Sequence, residues 1–196
     1  MDEQQLVERA ARGDLAAFNG LVEQYQNLAY GVAFRTLGDP EAAADATQDA
    51  FLSAYNGIGA FRGGSFKSWL LRIVTNACYD HGRRLARRPA ASLDAIVEAP
   101  GGEDVAVDPA PLPEDEAQRA ELVQQIEACL LELPIEQRTV VVLADLHGLS
   151  YDEIAEATAT SLGTVKSRLN RGRLHLRDRL VRRAPELSRR ADRPGT

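Results

Sequence analysis

The sequence predicts an all-α protein made of two small helical domains joined by a flexible acidic linker. Apolar residues recur every three or four positions on both sides of that linker, which is the spacing of amphipathic helices, and no segment alternates like a half-buried strand. Residues 89–116 differ from both flanks, because proline, glycine and acidic residues dominate there and no periodicity survives. We therefore expect domains over residues 1–88 and 117–184, with a polar tail over residues 185–196.

Three helices are expected at the start of the first domain, over residues 2–12, 14–37 and 41–55. The segment Gly38-Asp39-Pro40 separates the last two. Asp39 can cap the third helix, and Pro40 suits its first turn, where no backbone N–H is needed. The inward side of the third helix is expected to carry Ala42, Ala46, Ala50, Phe51 and Ala54.

The outward side of the same helix carries Asp45, Gln48 and Asp49. These side chains could form a solvated polar face, or a docking face for a basic helix of a partner. A metal site is the weakest interpretation, because no further carboxylate or histidine stands at ligand spacing.

A glycine-rich loop and a basic helix complete the first domain. Residues 56–64 contain four glycines, which indicate unusual backbone angles or close approach to a ligand. Ser65 can cap a long helix, in which Trp69 is expected to be a core residue. A loop with Phe61 and Arg62 before a basic helix suits single-stranded nucleic acid, but a helix dipole also favours basic residues at the C-terminal end. That end carries Arg83, Arg84, Arg87 and Arg88.

Four further helices are expected in the second domain. Helical patterns run from about Glu114 to Leu133 and from Pro134 to Gly148. Residues 150–173 then predict two short helices joined by a tight turn. In the helix after Pro134 the inward residues are expected to be Val140, Val141, Leu143 and Leu146.

Caps and an apolar stripe mark the two short helices. Ser150 and Glu153 form a capping box, and Ser161 can cap the second helix. The turn contains Ala159, although such turns usually favour glycine. The second helix is expected to face the core through Leu162, Val165, Leu169 and Leu176.

The opposite side of that second helix is polar and basic. Small polar side chains and a guanidinium near the start of a helix suit base edges in the major groove, and flanking cations suit phosphates. The same pattern also fits an ordinary helical hairpin with a solvated basic face. The residues concerned are Thr164, Ser167, Asn170 and Arg171, with Lys166 and Arg168 beside them.

The net charge of −6 conceals two basic segments. Residues 61–92 carry seven basic side chains and one acidic one, and residues 161–196 carry eleven basic and three acidic ones. The rest of the chain is acidic. This mosaic predicts two separate nucleic-acid contacts on a chain that otherwise repels nucleic acid.

Other classes of function find little support in the sequence. No run of about 18 apolar residues and no apolar signal core are present, so we expect a cytoplasmic protein that does not insert in a membrane. Cys78 and Cys129 sit in apolar helical patterns, and His81, His147 and His175 lack metal-ligand spacing. No nucleophile–base pair stands out either, so we expect no enzyme, no catalytic residue, no metal and no cofactor.

Three segments, in order, resemble the extracytoplasmic-function group of bacterial RNA polymerase sigma factors. Asp45–Tyr55 resembles the second helix of the promoter-melting domain, and Phe61–Arg84 the loop and helix that read the minus-ten element. Leu133–Arg177 resembles the helix-turn-helix domain that reads the minus-thirty-five element. Thr158 and Ala159 replace the apolar residue and the glycine usual at the turn. The resemblance implies a transcription initiation factor.

The resemblance also implies a role for each candidate residue. Asp45, Gln48 and Asp49 would dock on the clamp helices of the largest polymerase subunit. Minus-ten contacts would come from Asn56, Phe61, Arg62, Lys67, Asn76, Arg83 and Arg84, and the loop would capture a flipped base. Minus-thirty-five contacts would come from Thr164, Lys166, Ser167, Arg168, Arg171 and Arg173. Ser167 and Arg171 are the leading readers of base edges; Asn76 and Arg173 could instead have structural roles.

The implied partners are core RNA polymerase, duplex promoter DNA and the melted non-template strand. The acidic linker would thread a positively charged channel of the polymerase. An anti-sigma factor that covers the docking face is also implied, with the active protein a monomer. The main alternative is a stand-alone helix-turn-helix regulator, which would leave the first basic segment and the glycine-rich loop unexplained.

Overall fold

The computed structural model describes residues 2–87 and 114–183, and within these ranges the chain forms only helices and turns, as predicted. Most of the predicted linker and the polar tail lie outside the described residues. A 3-10 turn, Ile58–Ala60, follows the third helix, and a π-helical turn, Val142–Leu146, extends the sixth. The helices are α1 (Glu3–Ala11), α2 (Leu15–Leu37), α3 (Pro40–Gly57), α4 (Phe66–Arg87), α5 (Glu114–Leu131), α6 (Ile135–Val141), α7 (Tyr151–Ala157) and α8 (Leu162–Arg183).

The helix boundaries of the first domain follow local chemistry. The Asp39 side chain accepts a hydrogen bond of 2.7 Å from the backbone N–H of Ala42, and Pro40 occupies the first turn of α3. Gly38 ends α2 with a left-handed φ of 76°, a conformation that costs glycine little. The predicted break between α2 and α3 is therefore confirmed.

Helices α2, α3 and α4 form the core of the first domain. Leu21, Leu70 and Val74 have no exposed surface, and the small side chains of α3 let its neighbours approach closely. Phe51 was expected inside but is only half-buried. The alanines predicted to face inward, Ala42, Ala46, Ala50 and Ala54, are all buried.

The core of the second domain lies between α6, α7 and α8. Gly172 is buried there, and a Cβ atom on it would lie 2.7 Å from Cγ2 of Val141 and 3.2 Å from the backbone oxygen of Gln137. Only a residue without a side chain allows α8 to pass α6 at this distance. Val140, Leu143, Ile154, Val165 and Leu169 are almost fully buried around this crossing.

For two residues the predicted orientation toward this core is wrong. Leu146 is 49% exposed, because the π-helical turn has i→i+5 hydrogen bonds and changes the angular register that a regular α-helix would keep. Leu162 is 37% exposed, because it is the first residue of α8 and lies beyond the crossing with α6.

The two domains pack against each other, which the sequence did not predict. Helix α4 lies against α7, and α2 contacts α5 and α6. The buried side chains of both domains belong to one continuous hydrophobic cluster. At the contact, a Cβ atom on Gly82 would lie 2.8 Å from Cδ1 of Ile135, so the Ile135 side chain packs directly on the backbone of α4 there.

Candidate nucleic-acid interface

The helix-turn-helix is held by the caps that the sequence predicted. The backbone N–H of Ser150 donates to Oε2 of Glu153 at 2.8 Å, and the backbone N–H of Glu153 donates to Oγ of Ser150 at 3.3 Å, which together form the capping box. Oγ of Ser161 accepts a hydrogen bond of 3.2 Å from the backbone N–H of Thr164. Both helices therefore begin where expected, but the prediction of a short second helix is wrong, because α8 continues to Arg183.

The turn between these helices forms despite its two unusual residues. Ala159 has a φ of 50°, and it is the one non-glycine residue with positive φ in the described part of the chain. Thr158 is buried, but its Oγ1 donates to the backbone oxygen of Ile154 at 2.7 Å, so its hydroxyl is satisfied. The turn geometry is kept at the cost of a left-handed alanine.

The outer face of α8 brings together the leading base-reading residues. Ser167 and Arg171 are exposed one turn apart, and Nη2 of Arg171 donates to Oγ of Ser167 at 3.3 Å. Lys166 is also exposed, and Thr164 is half-buried next to the Ser161 cap. This face presents hydroxyl and guanidinium groups away from the core, as a helix in a major groove requires.

Two other residues of α8 that were predicted to contact DNA lie next to other parts of the protein. Nε of Arg173 donates to Oδ2 of Asp145 at 3.0 Å, and this carboxylate on the π-helical turn raises the pKa of Arg173. Arg168 is half-buried and lines a cleft of about 590 Å³ between the two domains. The free protein thus leaves Lys166 in solvent but gives Arg168 and Arg173 neighbours of their own.

The loop before α4 combines an aromatic cluster with two left-handed glycines. Gly63 and Gly64 have φ of 93° and 92°, so the expected unusual backbone angles occur at these two glycines. Phe61 is half-buried, and its ring centroid lies 5.3 Å from that of Trp69. Trp69 therefore belongs to the packed cluster as expected, and Arg62 is exposed beside it.

An open groove of about 470 Å³ lies between α3 and α4. Asn56, Asn76 and Arg84, all predicted to contact the minus-ten element, line this groove together. Nε2 of His81 lies 2.9 Å from Oδ2 of Asp49 on the same lining. The groove therefore places amide groups and a guanidinium beside a predicted polymerase contact.

The other two basic minus-ten candidates of α4 lie on different surfaces. Arg83 lines the cleft between the domains and pairs with Asp80. Nζ of Lys67 donates to the backbone oxygen of His147, in the second domain, at 2.9 Å. Neither residue lines the groove that contains Asn76.

The predicted docking residues share one exposed face of α3. Asp45, Gln48 and Asp49 are all exposed. Leu52 and Tyr55 are 56% and 41% exposed on the same helix, at spacings that continue this face. Sequence reasoning missed these two apolar residues, although their helical spacing from Gln48 would have placed them there.

No group of three or more metal-binding side chains occurs among the described residues. Cys78 and Cys129 are buried free thiols, and burial raises the pKa of Cys78 to about 12. Within residues 2–87 and 114–183, none of the helices is both long enough and apolar enough to cross a membrane.

Two family models match the chain. Sigma-70 region 2 matches residues 21–88, and the region 4 model of the same family matches residues 123–176. The groove and loop of the first domain lie in the first match, and the helix-turn-helix lies in the second.

Curated proteins and solved structures agree with these matches. The chain is 40% identical to the RNA polymerase sigma-H factor of Pseudomonas aeruginosa, over 87% of this chain and 90% of the relative. It is 37% identical to the ECF RNA polymerase sigma factor SigW of Bacillus subtilis, over 89% and 94%. The structure of CnrH in complex with the cytosolic domain of CnrY superposes with a TM-score of 0.62 and 27% identity, covering 91% of this chain and 96% of that one.

Proposed function

Because the chain belongs to the extracytoplasmic-function group of RNA polymerase sigma factors, which direct the polymerase to promoters, we propose how its surfaces share that task. Residues 1–88 form the unit that docks on core polymerase and opens the minus-ten element. Residues 117–184 form the unit that reads the minus-thirty-five element. Residues 89–116 thread the polymerase between them, and residues 185–196 are a tail.

Minus-thirty-five recognition is assigned to the outer face of α8. Ser167 and Arg171 read base edges, supported by their exposure and by the hydrogen bond that already aligns them. Thr164 contacts DNA near the helix N-terminus. The phosphate contacts come from Lys166, Arg168 and Arg173.

Minus-ten recognition is assigned to the groove between α3 and α4. Its lining by Asn56, Asn76 and Arg84 supports a site for a base flipped out of the non-template strand, whose edge the amides can recognise. Contacts in this pocket must offset an unstacking free energy of a few kcal/mol. The strand on either side is held by Phe61, Arg62, Lys67 and Arg83.

Polymerase docking is assigned to the exposed face of α3. Asp45, Gln48 and Asp49 meet the clamp helices of the largest subunit, and Leu52 and Tyr55 add apolar area to the contact. The carboxylates steer association by pairing with basic side chains of the partner. The protein works as a monomer in the cytoplasm. An anti-sigma factor is proposed as a further partner, since the sigma factor RpoE of Bartonella quintana, which has the same fold, is in complex with the anti-sigma factor NepR.

One observation carries this proposal. Two separate basic helices present side chains of the kinds that contact DNA: α8 on the outside of a helix-turn-helix, and α4 beside a groove. Run-off transcription with purified core polymerase tests it. Specific transcripts are expected only when this protein is added. Asp45→Lys should reduce the transcripts and the association with core, whereas Glu23→Lys, the same charge change at an exposed position of α2, should not. Specific duplex binding without any transcript would instead favour a stand-alone regulator.

A further inference from the structure

We propose that the free protein rests in a closed state in which α4 holds the helix-turn-helix domain and withdraws Lys67 from DNA. The inference rests on the proposed role of Lys67 as a contact to the minus-ten strand. The carrying observation is the polar contact that joins α4 to the region around α7.

The contact is formed by two consecutive residues of α4. Nζ of Lys67 donates to the backbone oxygen of His147 at 2.9 Å, and the hydroxyl of Ser68 donates to Oε1 of Glu153. Glu153 is also the acidic member of the capping box, so the same carboxylate serves the start of α7 and the domain contact. The Ser68 hydrogen bond is the largest cause of a lowered pKa at Glu153.

An ion pair between α2 and α5 adds a second polar contact to the same interface. Nη2 of Arg35, near the end of α2, lies 2.9 Å from Oε1 of Glu127 on α5. Their side chains are 32% and 26% exposed, so this pair is partly shielded from solvent. The apolar contact between Gly82 and Ile135 belongs to the same interface.

The closed arrangement uses DNA-contacting groups of both domains. Lys67 is a donor to His147 and is half-buried, so the domain contact competes with a phosphate for its ammonium group. Arg168, on the recognition helix, lines the cleft between the domains. In the closed state that we propose, a DNA strand gains full access to Lys67 only after the domains separate, so its apparent affinity falls to the fraction of the intrinsic affinity that equals the open population.

The chain offers an internal reference for measuring this state. Lys67 and Lys166 are its two lysines, and Lys166 is exposed on α8, away from the cleft. Acylation of the intact protein, read out by mass spectrometry of each peptide, compares the two amines in one sample. If the closed state holds about 90% of the molecules, Lys67 should react about tenfold more slowly than Lys166.

Charge reversal at the ion pair tests the cause of that protection. Arg35→Glu and Glu127→Arg each place like charges opposite one another, and each should raise the reactivity of Lys67 while that of Lys166 stays constant. The double variant restores an ion pair and the wild-type net charge, and it should restore protection. Arg12→Glu and Glu23→Arg repeat the charge changes at exposed positions outside this interface and should leave Lys67 unaffected. Circular dichroism checks that every variant remains helical.

A DNA measurement separates closure from its consequence. Arg35→Glu should bind a single-stranded minus-ten oligonucleotide up to about tenfold more tightly than Arg12→Glu, because the affinity rises in proportion to the open population. Equal reactivity of Lys67 and Lys166 in the wild-type protein would overturn the closed state. Opening without tighter binding would overturn its inhibitory effect. Failure of the proposed function shows elsewhere, as an absence of promoter-specific transcripts with core polymerase.

Discussion

Helices α8 and α4 both carry polar and basic side chains of the kinds that contact DNA, but the two helices arrange them differently. On α8, Val165 and Leu169 anchor one side, while Ser167 and Arg171 occupy the other, away from the core. On α4, core, groove and domain-contact residues alternate around the helix, so no side is given to DNA alone. Recognition on α8 can therefore change residue by residue, whereas a change on α4 also affects packing or closure.

The largest effect is expected where α8 crosses α6. Gly172→Ala puts a methyl group 2.7 Å from Cγ2 of Val141, which is on a stiff β-branched side chain, and close to a backbone oxygen. It should lower the free energy of unfolding of the second domain by about 1–3 kcal/mol. Gly163→Ala on the same helix meets nothing closer than 3.9 Å and is the matched control. Equal denaturation midpoints for the two variants would contradict the close crossing.

The outer face of α8 should show separable base and phosphate contacts. Arg171→Ala should cost about 1–3 kcal/mol of polymerase-dependent promoter binding and relax the preference at one position of the minus-thirty-five element. Lys166→Ala should weaken binding to every sequence alike and reduce the salt slope by about 1. Binding titrations on a set of single-base promoter variants distinguish the two. A uniform loss for Arg171→Ala would make it a phosphate contact.

A smaller effect is expected at the turn before α8. Ala159→Gly should raise the free energy of unfolding by up to about 1 kcal/mol, because glycine adopts the left-handed conformation without the Cβ clash, although it also gains freedom in the unfolded chain. Ala44→Gly, at an exposed position within α3, should have the opposite sign and lower stability by about 1 kcal/mol. Chemical denaturation of both variants would measure the difference, and the same sign for both would contradict a left-handed strain at residue 159.

The smallest effect is a dependence of stability on pH. It comes from the hydrogen bond between Ser68 on α4 and Glu153 on α7. Hydrogen bonds, first from Ser68 and then from Ser150, hold the pKa of Glu153 below its ordinary value of 4.5. A carboxyl with a lowered pKa stabilises the fold above its ordinary pKa, and this contribution is lost as the pH falls through the folded-state pKa. The stability difference between wild type and Glu153→Gln should therefore shrink in acid. In a Ser68→Ala background the difference at neutral pH should be smaller, and an unchanged difference would exclude Ser68 as the main cause.

Features set by nearby residues could be predicted from the sequence. Caps by Asp39, Ser150 and Ser161 depend on hydrogen bonds within three residues, and the structure confirms all three. The outward faces of α3 and α8 followed from helical spacing alone. The exposure of Leu146 was predicted wrongly, because a π-helical turn changes the register and leaves no sign in a regular 100° pattern.

Features that join distant parts of the chain could not be predicted. The hydrogen bond between Lys67 and His147 spans 80 positions, and nothing near either residue indicates the other. The same holds for the groove that gathers Asn56, Asn76 and Arg84, because helical spacing places each residue on its own helix but not the two helices side by side. Gly172 gave no signal either, since a buried glycine within a helix resembles an ordinary exposed one in the sequence.

The π-helical turn at the end of α6 has a consequence for insertions and deletions. Its wider coil lies between the crossing at Val141 and the backbone oxygen of His147 that receives the Lys67 ammonium group. Deleting one residue there would convert the π-helical turn into regular α-helix and rotate the residues that follow it about the helix axis. Asp145 would turn away from Arg173 and the His147 oxygen would leave Lys67, so a single-codon loss could release one domain from the other while the buried residues before it stay in place.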